Sequence, residues 1–290
     1  MNSERENYEK AIGNLIKIMA SETKGQNLVD NYVRFLKKEY PRLAISYQQR
    51  LEANPTGGRA EAVTFHFLKT CVDDVKINEH PRDGGTDFLC KTADSEFIAE
   101  VTSITTDTVT KKSGLKDDLT EGTTVQTFSP ITQKLCDTVN SKESQMLKYN
   151  YPGILVIASD HPLADTLFDP FDAQRLLVGD MKIGFSIATM RQEMQERSTT
   201  NVTELKYSCF LQVNQDWDVC NRSISAVLLF HISGASAFIL GILHPDPLHN
   251  FSPKLLPSIP FIRLKKWPPE DSILGVEWVK YEENELVVTE

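Results

Sequence analysis

Two acidic residues, Asp87 and Glu100, are spaced so that a β-hairpin would bring their carboxylates together. Short segments rich in apolar and β-branched residues run on either side of residues 92–95, which predicts a hairpin with a four-residue loop. If Lys91 pairs with Glu96, the register places Asp87 directly opposite Glu100 on one face of the sheet. Directly opposed side chains have Cβ atoms about 5 Å apart, where like charges repel. A divalent cation would offset that repulsion, because hard cations prefer carboxylate oxygens.

Two stretches together resemble the active-site hairpin of the PD-(D/E)XK, or restriction-endonuclease-like, nuclease superfamily: Gly84-Gly85-Thr86-Asp87-Phe88 and Glu100-Val101-Thr102. The superfamily pattern is an Asp on one strand and Glu-x-Lys on the next. The resemblance covers roughly residues 59–159 and implies that Asp87 and Glu100 ligate Mg²⁺ or Mn²⁺. Thr102 stands where the superfamily usually has its lysine, a residue that helps to position or activate the attacking water.

A third acidic residue, Glu61, lies on a predicted helix that precedes the hairpin. The helix spans residues 59–75, and Glu61 shares its inward-tending face with Phe65 and Leu68. Through the superfamily resemblance, an inward glutamate here is similar to the helix-borne acid that supplies a further metal or water ligand. The alternative is structural, with Glu61 at the edge of an amphipathic face.

A predicted helix at residues 130–149 carries Lys142 within its apolar stripe. A lysine in such a position is costly unless its amine finds a partner or reaches water. In related sequences the helix after the Glu strand often carries an inward Lys followed by Gln, and Lys142 with Gln145 resembles that arrangement. Lys142 is therefore the candidate to replace the missing hairpin lysine. The alternative is a side chain that extends along the helix surface to solvent.

The order of predicted elements favours an α/β fold with a mixed central sheet flanked by helices. Residues 151–158 form a continuous apolar run, which is typical of a central buried strand, and residues 224–232 and 237–243 add two further apolar strands. A strand, helix, strand succession is what a mixed sheet with a crossover helix requires. The superfamily resemblance implies the same class, a restriction-endonuclease-like sheet.

The chain divides into a predicted N-terminal helical extension, residues 1–54, and an α/β domain, residues 55–290. Helical stripes at residues 4–20 and 27–40 form the extension. The extension serves either as a cap or oligomer arm, or as a layer packed on the main core. The oligomer arm alternative leads to a homodimer through the N-terminal helices.

Two polar segments are predicted to lie outside the core. Residues 105–127 contain mainly Thr, Lys, Asp and Gly, which predicts a long loop at the rim of the carboxylate site. Its lysines would either contact phosphates or remain solvated. A second stretch, near residues 187–206, is predicted as a polar surface insertion.

Composition narrows the class of protein. The chain has 290 residues, of which 40% are hydrophobic, enough for one large domain or two small ones. A formal net charge of −9 argues against indiscriminate coating of nucleic acid but allows a local basic groove. No apolar run could span a bilayer, and the charged N-terminus differs from a secretory signal. Five scattered cysteines are typical of a reducing compartment, so a cytoplasmic location without membrane contact is expected.

These features lead to two functional hypotheses. The first is a Mg²⁺- or Mn²⁺-dependent nuclease that hydrolyses phosphodiester bonds in DNA, with catalytic roles for Asp87, Glu100, Thr102, Lys142 and Glu61. The second is a catalytically inactive nuclease-like fold that serves as a nucleic-acid- or protein-binding module. Thr102 and the acidic net charge favour the second hypothesis, and the retained pair of opposed carboxylates favours the first.

Overall fold

The computed structural model describes residues 22–79, 85–113, 129–161, 168, 170–185, 199–204, 208–213, 217–232, 238–269 and 274–279. Within these ranges the protein is an α/β fold with a mixed sheet of eight strands. The strands of the main sheet are β1 (Asp74–Ile77), β2 (Phe88–Lys91), β3 (Glu96–Ser103), β4 (Gly153–Ser159), β9 (Ala226–His231), β10 (Phe238–Leu243), β11 (Phe261–Leu264) and β12 (Val276–Trp278). Two separate hairpins are built from β5 (Asp180–Phe185) with β6 (Thr199–Glu204), and β7 (Leu211–Val213) with β8 (Trp217–Val219).

The main sheet has the order β1-β2-β3-β4-β9-β10-β11-β12. Strands β3, β4 and β9 run parallel to one another, β10 runs parallel to β11, and the remaining neighbours are antiparallel. The apolar runs predicted as strands form β4, β9 and β10. All seven residues of β4 are buried, as expected for a strand covered on both faces.

The described helices are α1 (Glu22–Glu39), α2 (Pro41–Ala53), α3 (Pro55–Cys71), α4 (Thr106–Ser113), α5 (Ser129–Met146) and α6 (Pro170–Val178), with a 3₁₀ turn at Pro253–Leu255. Side chains along β3 alternate between the two faces of the sheet, and each face packs against a different helix. Phe97 packs into the apolar cluster that contains Phe65 of α3. Ile98 packs into the cluster that contains Leu135 of α5. The two helices therefore cover opposite faces of the strand that carries Glu100.

The helices of the predicted extension pack on the α/β core. Tyr32 of α1 and Tyr47 of α2 are fully buried in the same apolar cluster as α3. The Tyr32 ring lies 4.9 Å from that of Tyr47 in an edge-on arrangement and 4.8 Å from that of Phe65. This packing matches the alternative of a layer on the main core. The predicted helix at residues 4–20 lies outside the described residues, and dimerisation through these helices stays a prediction.

Several predicted boundaries are corrected. The helix predicted at residues 59–75 is α3, which begins at Pro55 because the Asn54 side chain accepts a 3.0 Å hydrogen bond from the N–H of Gly57. It ends at Cys71, where β1 follows. The long loop predicted at residues 105–127 is wrong in its first part, which forms α4. This helix buries Val109 against the α5 face, and the Thr105 hydroxyl accepts from the N–H of Thr108. Residues 114–128 lie outside the described ranges.

The surface insertion predicted near residues 187–206 is described only at residues 199–204. These residues form β6, which pairs with β5 in a hairpin separate from the main sheet. None of the helices that the structure describes is both long and apolar enough to cross a bilayer.

Candidate functional site

The predicted hairpin register is the one observed. Lys91 pairs with Glu96 and Phe88 pairs with Ala99, so the next step along both chains brings Asp87 opposite Glu100. The Asp87 carboxylate accepts a 2.7 Å hydrogen bond from the backbone N–H of Val101, the residue after Glu100. The two carboxylates therefore lie close together, with Asp87 just before β2 and Glu100 in the second half of β3.

The turn before Asp87 is held by hydrogen bonds from two directions. The N–H of Asn78, after β1, donates to the carbonyl of Asp87 over 2.9 Å. From the turn after α5, the Tyr149 hydroxyl accepts from the N–H of Thr86 over 3.2 Å. The Gln145 amide also donates to the carbonyl of Gly85. Asp87 is thus placed by the sheet on one side and by α5 on the other.

Glu100 is buried and receives two donors from α5. Lys142 Nζ lies 2.7 Å from Glu100 Oε1, and Gln145 Nε2 lies 2.9 Å from Oε2. Residues three apart on a helix share a face, so one face of α5 supplies both groups. The Lys142 amine is therefore in direct contact with Glu100, rather than extended along the helix surface to water.

Burial raises the pKa values of both hairpin acids. It is the larger cause for Asp87, whose pKa is raised well above its usual value, and the charges of Glu100 and Glu61 raise that pKa further. Burial also raises the pKa of Glu100, while the charge of Lys142 opposes that rise. A positive charge beside Asp87 would lower its pKa and stabilise the ionised pair.

Glu61 faces inward from α3, as predicted, and is 9% exposed. Its carboxylate accepts a 2.9 Å hydrogen bond from the Tyr32 hydroxyl. Arg50 of α2 contacts the same carboxylate, with Nη2 3.2 Å from Glu61 Oε2 and 3.4 Å from Oε1. The same guanidinium donates through both terminal nitrogens to Glu79, with Nη2 at 3.0 Å from Glu79 Oε2. Burial is the main cause of the raised pKa of Glu61, which Arg50 partly offsets.

These groups border an open cleft of about 640 Å³. Its walls include four of the five predicted site residues, namely Glu61, Asp87, Glu100 and Thr102, together with Arg50, Glu79, Gln145 and Lys148. The fifth, Lys142, reaches the site through Glu100. When all are ionised, the four carboxylates outnumber the three cations at the site, Arg50, Lys142 and Lys148, by one negative charge. The site therefore keeps a net negative charge, which favours a cation.

The donor set fits a hard cation. Mg²⁺ keeps several of its waters and is commonly bound through one or two carboxylates, which Asp87 and Glu100 can supply. No three acidic, histidine or cysteine side chains among the described residues converge into a ligand set. An ion here would therefore be held by these two carboxylates, with water completing its coordination.

Four residues at the site are not indicated by any sequence pattern: Arg50, Glu79, Tyr32 and Tyr149. Arg50 lies in a segment without a clear periodic pattern, and Glu79 lies in a connection between strands. Helical phase predicts that the Tyr32 side chain is buried, but it does not predict the hydrogen bond to Glu61. The one available signal was the inward position of Glu61, because a buried carboxylate requires a donor or cation from elsewhere in the chain.

Comparison of the chain with protein-family models, curated proteins and solved structures found no match. Function is therefore inferred from the chemistry of the cleft. Its elements are an opposed pair of carboxylates with raised pKa values, a lysine in contact with one of them, and open access to solvent.

Proposed function

We propose that the protein is a divalent-metal-dependent nuclease of the restriction-endonuclease-like, PD-(D/E)XK type, which hydrolyses phosphodiester bonds in DNA. The observation that carries this proposal is the placement of Asp87 and Glu100 at one cleft, with the Lys142 amine 2.7 Å from Glu100. The sheet order supports the fold assignment, because the acidic hairpin is followed by a crossover helix and a parallel central strand.

Asp87 and Glu100 would hold Mg²⁺ or Mn²⁺. When bound, such an ion polarises the scissile phosphate and lowers the pKa of a bound water. Lys142 would stabilise charge that develops on the phosphate, since a preorganised cation in a partly buried site acts more strongly than one in water. Glu61, at the cleft wall, would orient a water molecule.

Lys142 supplies from α5 the cation that Thr102 does not supply from β3. Thr102 lines the cleft two residues after Glu100, where the superfamily lysine would project. The Lys142 amine enters the same neighbourhood from the helix and already contacts the Glu100 carboxylate. DNA as the substrate follows from the superfamily resemblance.

One observation favours a second candidate, a nuclease-like fold that binds nucleic acid or protein without cleaving it. Both oxygens of Glu100 already have donors, Lys142 Nζ and Gln145 Nε2. A carboxylate satisfied in this way is stable in a buried site without a metal ion.

Thr102→Lys distinguishes the two candidates. We expect the wild type to cleave linear, circular or single-stranded DNA with Mg²⁺ or Mn²⁺ and to lose that activity with EDTA. We expect Thr102→Lys to bring no gain, because Lys142 already provides the required cation and a second amine would compete for Glu100. Activity is measured on the three DNA forms with both ions. An inactive wild type together with an active Thr102→Lys variant would support the second candidate and a decayed site.

A further inference from the structure

Arg50 occupies an unusual position for a cation at the wall of an acidic cleft. Its guanidinium contacts two carboxylates at once, Glu61 and Glu79, and its side chain is 41% exposed. A metal ion could bind the same pair of carboxylates in place of the guanidinium. We infer that Arg50 is a positioning residue that takes the place of a second divalent cation, so that the cleft binds one Mg²⁺ or Mn²⁺ per chain. This inference rests on the proposed function.

The charges around Arg50 show why a cation is needed there. Glu61 and Glu79 approach the same guanidinium, and both line the cleft that also contains Asp87 and Glu100. Without Arg50, the carboxylates of Glu61 and Glu79 would add uncompensated negative charge beside Asp87. The charges of Glu61 and Glu79 also contribute to the raised pKa of Asp87, so the acids interact electrostatically. Arg50 neutralises part of this field with a group that belongs to the chain.

Glu61 is also held by a second donor, Tyr32. The Tyr32 hydroxyl donates to Glu61 Oε1 over 2.9 Å, and the Tyr32 ring is fully buried between Tyr47 and Phe65. Moving Glu61 toward a metal at Asp87 would break the contacts with Tyr32 and Arg50. Glu61 would therefore act on the hydrated ion through a water molecule and would not ligate a second ion.

Glu79 links Arg50 to the connection that carries Asp87. It follows Asn78, whose backbone N–H donates to the carbonyl of Asp87 over 2.9 Å. The Arg50–Glu79 contact thus ties α2 to the chain beside Asp87. Through this contact the N-terminal helices contribute to the shape of the site as well as to its charge.

The test counts bound ions in the intact protein by calorimetric titration with Mn²⁺ at pH 8, where the acids are more fully ionised. Mn²⁺ electron paramagnetic resonance provides an independent count. We expect one ion per chain in the wild type and two in Arg50→Met, which keeps much of the aliphatic stem but removes the charge. Arg50→Gln serves the same purpose if Arg50→Met does not fold, and it is also expected to bind two ions.

Three control variants test whether the loss of the Arg50 charge causes the change in ion count. Arg50→Lys keeps the positive charge and should bind one ion. Combining Arg50→Met with Glu61→Gln removes a ligand of the new site and should return the count to one. Lys148→Met removes another cation from the cleft wall, one that is exposed, and should leave the count at one.

The outcomes separate this inference from the proposed nuclease function. Two ions in the wild type, or one ion in both the wild type and a folded Arg50→Met, would overturn the role of Arg50 and leave the nuclease proposal standing. No ion in the wild type would overturn both proposals, whether or not Arg50→Met binds one.

Discussion

Asp87→Asn is expected to stabilise the metal-free protein at neutral pH and to abolish its stabilisation by Mg²⁺. The folded state raises the pKa of Asp87 through burial and the charges of Glu100 and Glu61. An acid with a raised folded pKa binds more protons in the folded than in the unfolded state. Asp87 therefore stabilises the folded state below its unfolded pKa, near 4, and this stabilisation is lost as pH rises through its folded pKa. The asparagine side chain carries no charge and avoids this loss.

The expected gain for Asp87→Asn in EDTA at pH 7 is on the order of 1 kcal/mol, or a few degrees in Tm. With Mg²⁺ we expect the wild type to be more stable than Asp87→Asn. A ligand at about 100 times its Kd stabilises the folded state by about 2.7 kcal/mol, and only the wild type has the complete site. Thermal melts from pH 5 to 8, with EDTA and with Mg²⁺, measure both effects.

Asp94→Asn is the matched control, because Asp94 is an exposed acid in the loop of the same hairpin. Its stability should follow that of the wild type at each pH and should show the same response to Mg²⁺. The account of Asp87 is contradicted if Asp87→Asn is less stable than the wild type in EDTA, or if both proteins respond equally to the metal.

Lys142→Met is expected to reduce DNA cleavage on the order of a hundredfold or more. The methionine keeps most of the aliphatic stem and removes the amine 2.7 Å from Glu100. Glu100 then loses the charge that opposes the rise in its pKa, so we also expect a fall in stability that bound metal partly reverses. Single-turnover cleavage at saturating Mg²⁺ separates the loss in rate from any loss in DNA binding.

Lys76→Met provides the control for Lys142→Met. Lys76 also forms an ion pair, with Asp74 over 3.7 Å, but both side chains are about half exposed or more and neither lines the cleft. Exposed pairs contribute about 0–1 kcal/mol, so this variant should keep the cleavage rate and nearly all the stability of the wild type. A fully active Lys142→Met protein would exclude Lys142 from the mechanism.

The parts of the site that follow local periodicity could be predicted from sequence. The hairpin register follows from a loop of fixed length and a side-chain period of two, so Asp87 falls opposite Glu100. Helical phase similarly predicts that Glu61 and Lys142 face inward. Periodicity gives the direction of a side chain, but it does not choose between Glu96 and Glu100, which share the face of β3 toward Lys142.

The partners of Glu61 could not be predicted in this way. Arg50 lies 11 residues before Glu61 and 29 before Glu79, and Tyr32 lies 29 residues before Glu61. Contacts at these separations depend on how α1 and α2 pack on α3, which is decided by apolar burial over the whole cluster. The start of α3 was misplaced for a different reason: Asn54 and Pro55 suggest a turn, yet they form the cap and first turn of a helix.

Metal-dependent hydrolysis at Asp87 and Glu100 is best tested by cleavage of closed circular DNA, comparing the wild type with a variant that carries both Asp87→Asn and Glu100→Gln. Both proteins are purified in the same way and assayed with Mg²⁺, with Mn²⁺ and with EDTA. We expect the wild type to produce nicked or linear DNA with either ion and none with EDTA, and the double variant to produce none under any condition. Equal cleavage by the two proteins, or cleavage by the wild type in EDTA, would contradict metal-dependent hydrolysis at Asp87 and Glu100.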